Sequence, residues 1–212
     1  MCGFDLDHYS ELLNAAESGG YHVAFFGTEP REGELYLRHD VDLSLDAARE
    51  LSAWERARGV TATYFLMTTS VFYNLASPEG EETVEQLRAD GHRVGLHADF
   101  PELGFDHRFD PVVAWHNPDP AWMGTPVDGA VNVMGPPWFS PDTYRSDSNQ
   151  SWRAGCPHDE IAAGAFPWLQ LLIHPEIWIY SGDSMRETMD SMLDRDRERR
   201  LEQLAADKID LS

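Results

Sequence analysis

The stretch "LYLRHDVDLS", Leu35 to Ser44, runs three apolar residues into Arg38, Asp40 and Asp42 before it stops. Read as a strand, it points alternate side chains to opposite faces, so Arg38, Asp40 and Asp42 share one face. Carboxylates side by side on one face repel unless a cation stands between or beside them. A metal ion, with Arg38 as a second positive charge, satisfies them. An aspartate-rich strand exit with a local salt bridge does so too.

Working outward, the chain alternates strand and helix. "DHYSELLNAAES" reads as a short helix ended by Gly19 and Gly20. "YHVAFF" and "ELYLRHDVD" read as strands. The next helix, "LSLDAARELSAWERARG", has Ser44 as N-cap, an apolar stripe of Ala47, Ala48, Leu51 and Trp54, and Gly59 as its stop. "VTATYFLM" is a strand, "SPEGEETVEQLRADG" a helix opened by Ser77-Pro78, and "HRVGLHAD" a further strand. This order predicts an α/β fold with a parallel sheet or barrel. From about 101 to 153 the pattern weakens, apart from a short strand in "DPVVAWHNP". A long irregular segment in a compact domain points to function. "LQLLI" restores a buried strand ending at His174-Pro175, and a highly charged helix over about 183–208 follows. Its stripe of Met185, Met189, Met192 and Leu193 reads as a packing face. The expectation is one domain over 1–212.

The chain carries 37 acidic and 16 basic residues, a net charge of −21, and Lys208 is its one lysine. Such a field repels phosphate backbones and excludes nucleic acid as a partner. No apolar run reaches a membrane span, and the acidic N-terminal stretch has no signal-peptide pattern, so a cytoplasmic protein is expected. No protein partner can be inferred. Acid spread along the whole chain favours halophilic adaptation over a basic partner. Screening shrinks from about 10 Å at 0.1 M salt to about 3 Å at 1 M, relieving carboxylate repulsion. The thermal unfolding midpoint should therefore rise from dilute buffer to molar salt; a midpoint that stays or falls removes the halophilic reading. Cys2 and Cys156 show neither a disulfide framework nor metal-ligand spacing, and are expected to be plain free thiols.

Potential ligands stand at four strand ends: Asp40 and Asp42, His97, His116 and His174. In parallel α/β folds these ends form the ligand-binding rim. His8, His22, His39, His92, His107 and His158 are expected to be structural, with His39 and His92 pointing away from the site.

In this order, "LRHDVDLS", "VTATYFLM", "GHRVGLH" and "LLIHP" resemble the polysaccharide deacetylase-like family (NodB homology, carbohydrate esterase family four), in its HDVD-type branch. The resemblance runs from about 21 to 178. It implies a distorted, incomplete (β/α) barrel and a metal-dependent hydrolase that deacetylates an N-acetylated sugar or related small amide. It implies Asp40 as catalytic base, Asp42 and His97 as metal ligands, and His174 as general acid. The cofactor is a divalent metal ion, with zinc the first choice.

The family's second ligand histidine falls at Pro101, its arginine-proline motif is replaced by "WHNP", and its fourth motif survives loosely as "SDSNQSW". His116 is then the first choice for the third metal ligand and Asp99 the second. Arg38 or Arg153 holds Asp40 ionised, and Asp147 orients His174. Trp122, Trp138 and Trp152, with Arg153, fall where a glycan would lie, whereas Trp115 is expected to pack. Two rivals stay open: a glycan-binding or regulatory relative without catalysis, and a metal-dependent lyase or isomerase of a sugar acid.

Overall fold

A computed structural model describes residues 2–101 and 104–210. All eight residues of strand β2 (Glu34–Val41) are buried, because β2 lies inside the sheet and is covered on both faces. Tyr36, Arg38 and Asp40 face inward, where Tyr36 meets Trp138 and Arg38 meets Gln170. His39, on the opposite face, meets Glu55 of the surrounding helix layer, as the period-two reading requires.

The described elements run in chain order as α1 (Leu6–Ser18), β1 (His22–Val23), β2, α2 (Leu45–Arg56), β3 (Thr63–Met67), α3 (Pro78–Ala89), β4 (Arg93–Ala98) and β5 (Val112–Trp115). Then come β6 (Val131–Asn132), β7 (Tyr144–Ser146), α4 (His158–Ala162), β8 (Leu169–Ile173), α5 (Pro175–Ile179) and α6 (Met185–Ala206). The eight strands pair in parallel in the order β6-β5-β4-β3-β2-β8-β7, with β1 added beside the start of β2. Among the described residues no pairing joins β6 to β7, so the sheet curls into an incomplete α/β barrel. Gln170 spans this gap: its amide donates to the carbonyls of Val133 (3.1 Å) and Trp138 (2.8 Å).

Local chemistry places the helices. Ser44 and Ser77 accept from the backbone of Ala47 and Gly80, capping α2 and α3, and Pro78 occupies the first turn of α3. Gly59 and Gly91 adopt φ of +69° and +93° after these helices, a conformation that favours glycine. Gly19 brings α1 against α4 so closely that an added Cβ would stand 2.1 Å from the Ile161 carbonyl. Among the described residues no helix is long and apolar enough to cross a membrane.

Three expectations need correction. The strand expected at "YHVAFF" shrinks to His22–Val23, because it pairs only with the first two residues of β2. The irregular segment contains β6 and β7, too short to show a period. In α6, Met192 packs against Ala47 and Tyr180, but Leu193 is half exposed.

Candidate active site

Parallel register brings β2, β4, β5 and β8 to the same rim, and their ends deliver the chemistry. The Asp42 carboxylate is the hub. Its Oδ1 stands 3.1 Å from His97 Nε2, and its Oδ2 lies 3.8 Å from both His116 Nε2 and His174 Nε2.

Each of these imidazoles is fixed through its other nitrogen. His97 Nδ1 lies 3.0 Å from the Ala114 carbonyl, His116 Nδ1 2.9 Å from Asp99, and His174 Nδ1 2.6 Å from Asp147. A carbonyl and ionised carboxylates have no proton to give, so all three Nδ1 atoms donate. All three Nε2 atoms are thereby presented toward Asp42. Acceptors behind histidines set the tautomer as they do in metal sites.

Asp42 Oδ1 is buried and accepts no hydrogen bond, although His97 Nε2 is so near. Two lone pairs facing each other call for a proton or a cation between them. Two ligands on one tetrahedral zinc, each at about 2.05 Å, would stand roughly 3.3 Å apart. Asp42 and His97 thus stand at about the separation of two ligands on one divalent cation, with His116 Nε2 farther off at 3.8 Å. Their arrangement is open, since the three ligand atoms do not all lie within 4.8 Å of one another. Asp99 stands behind His116 and holds its Nδ1.

Asp40 is held differently. Arg38 donates to it through Nε (2.8 Å) and Nη2 (2.6 Å), a bidentate fork among buried groups. Burial alone would raise the Asp40 pKa, but Arg38, then His97 and His174, bring it below its ordinary value. The partner of Asp40 is thus Arg38, two residues away on the same face; Arg153 is exposed and lines a neighbouring cleft.

The pKa shifts follow the same geometry. Burial would push Asp42 up, but the facing His97, His174 and His116 hold it well below the carboxylate range. Burial would lower His97, but Asp40 and Asp42 raise it. Burial would lower His174, but Asp147 and Asp42 push it up to about 10. Asp147 is fully buried and also accepts from the His174 backbone N–H (2.9 Å) and Trp178 Nε1 (2.7 Å).

Beside this rim lies a cleft of about 730 Å³, lined in part by Asn117, Met134, Phe139, Tyr144, Trp152 and Arg153. Asn117 bonds His116 Nε2 (3.0 Å) and Met134 touches Arg38, so the cleft adjoins the charged groups. Trp152 has one face in the cleft region and stacks on Phe4, 5.9 Å between centroids. Trp138 corrects the glycan-platform reading: it is 1% exposed and packs edge-on against Tyr36 at 4.7 Å. A core left open between β6 and β7 needs a large side chain to fill it. Trp122 is half-buried and is not among the residues that line this cleft. Trp115 packs as expected, at 2% exposure.

Sequence reasoning missed Asn117, Trp178 and Glu176. The Glu176 carboxyl is buried, with Oε2 unpartnered; burial pushes its pKa to about 8 against the opposing pull of His174. The "HPEIW" spacing, with Trp178 four residues beyond His174, carried the one available hint.

No protein-family model matches the sequence, and no curated protein matches it either. Among solved structures, a peptidoglycan deacetylase of Bdellovibrio bacteriovorus superimposes with a TM-score of 0.38 at 16% identity. The match covers 84% of this chain and 54% of the other, about half its length.

Proposed function

We propose that the protein is a metal-dependent amide hydrolase that removes an acyl group, acetyl by preference, from an N-acylated sugar or related small amide. The observation that carries this reading is the set of three imidazoles fixed through Nδ1, all turning Nε2 toward the orphaned Asp42 carboxylate.

Asp42, His97 and His116 would hold the cation. When bound, a divalent ion polarises the amide carbonyl and makes water a stronger acid at neutral pH. Asp40, kept ionised by the Arg38 fork, takes a proton from water. His174, held by Asp147 and raised to about 10, carries a proton at neutral pH and gives it to the amine that leaves. An amine does not leave as an anion, so this proton is needed. The cleft beside the rim, with Trp152 and Arg153, receives the rest of the substrate.

Asp42→Ala and His97→Ala should each lose the bound metal of this site while keeping a folded chain. Elemental analysis beside circular dichroism checks this, and acetate release from N-acetylated sugars checks the reaction. Stoichiometric metal that survives both substitutions at this site puts the ligands elsewhere. Bound metal with no acetate release from any such sugar favours the glycan-binding or lyase alternatives.

A further inference from the structure

A second cluster lies away from the rim, where the start of α1 meets the segment entering α4. Cys2, His8 and Cys156 come together there, although 148 positions separate the last two. Their ligand atoms all lie within 4.8 Å of one another, and among the described residues no other set of three such groups does so. The expectation of free thiols stands, but their meeting with His8 lay outside it. Both cysteines are free, but they face each other and share a histidine.

His8 Nε2 stands 3.2 Å from Cys156 Sγ, and His8 Nδ1 lies 2.9 Å from Glu11. Glu11 accepts from Nδ1–H, which leaves the Nε2 lone pair aimed between the thiols, the arrangement found behind metal-binding histidines. A sulfur at about 2.3 Å and a nitrogen at about 2.0 Å on one tetrahedral zinc would stand roughly 3.5 Å apart, close to the separation here. Burial, with Cys2 beside it, pushes the Cys156 thiol up to about 11. Two thiolates side by side repel each other, and a shared cation removes that conflict. His158, which opens α4, lines the same depression, with its ring 6.5 Å from that of His8. Its Nδ1 is engaged by Asp159 (2.9 Å), so Nε2 is the nitrogen it would offer a metal, although it does not stand within 4.8 Å of all the other three ligand atoms.

We propose that Cys2, His8 and Cys156, completed by His158, form a structural zinc site that fastens the start of α1 to the segment entering α4. Two thiolates and two imidazoles are a donor set that selects zinc and closes its coordination sphere, unlike the open oxygen-and-nitrogen set at the rim. Binding releases the two thiol protons. The fastening bears on the rim through His8, which stacks on Trp178 at 6.2 Å, and Trp178 holds Asp147.

The test is cobalt(II) titration of the full chain, stripped of metal and reduced. Thiolate-to-cobalt charge transfer in the near ultraviolet, reaching full intensity with one equivalent of cobalt in this site, is expected in the wild type. It should persist in Asp42→Ala and vanish in Cys156→Ser, so the two sites are told apart. Absence of the band in the wild type, or its survival in Cys156→Ser, overturns the proposal. Should Cys156→Ser fail to fold, thiol labelling of the wild type decides. Zinc should protect two thiols and a chelator should expose them again. Equal labelling with and without zinc, or a Cys2–Cys156 disulfide whose reduced form takes up no zinc, overturns it.

Discussion

His174→Ala is expected to keep its metal and its fold and to lose roughly two to four orders of magnitude in turnover, the usual worth of a positioned acid–base group. The histidine sits at the end of β8, with Nδ1 on the buried Asp147 and Nε2 turned toward Asp42. Removing the ring leaves the Arg38–Asp40 fork and the three proposed ligands in place. The loss should therefore appear in kcat and leave substrate affinity nearly unchanged. Asp147→Asn should give a partial version, since an amide can present its donor to His174 and no longer favours the protonated ring. Metal content, melting temperature and acetate release on His174→Ala separate three roles. Loss of metal makes His174 a ligand, loss of stability alone makes it structural, and unchanged turnover with metal retained removes it from the mechanism.

The largest expected effect on stability lies on the other face of β2. Glu55 of α2 is fully buried and accepts from Tyr9 (2.5 Å) and Tyr64 (2.6 Å), with His39 Nε2 at 2.8 Å. Burial would raise its pKa, but His39 opposite brings it below the ordinary value. Glu55→Ala removes the shared acceptor of three buried groups. Breaking a buried pair by deleting one member costs about 3–5 kcal/mol, because the remaining groups stay desolvated and unpaired. For a chain of this size the melting temperature should fall on the order of 10 °C. Because the folded pKa is depressed, the ionised carboxylate contributes stability above its unfolded pKa of about 4.3, and this is lost as pH falls through the folded value. Wild-type stability should therefore decline toward acid more steeply than that of Glu55→Gln. Urea unfolding across pH 3 to 7 tests this, and a change under about 1 kcal/mol for Glu55→Ala at neutral pH would mean that the cluster is not a structural keystone.

Much of the fold was legible because strands β2, β3, β4 and β8 are buried runs bounded by clear caps and glycine stops. The same period-two logic put Arg38, Asp40 and Asp42 on one face and turned His39 to the other. β6 and β7, at two and three residues, are shorter than any pattern that could announce them. At the site, strand-end histidines could be found because position along a strand is local information. The Trp138 burial and the Cys2–His8–Cys156 meeting could not, since each depends on segments far apart in the chain.

The edge position of those two short strands also bears on how such a protein can change. The charged groups hang from strands paired on both sides, where a one-residue slip of β2 would turn Asp40 and Asp42 outward. Much of the cleft wall instead comes from residues 117–155, tied to the sheet mainly by β6 and β7 at its margins. Surface segments held so lightly tolerate insertion and exchange at little conformational cost. New substrate preferences can thus be grafted onto the margins of the sheet while the reacting groups are inherited intact at its centre.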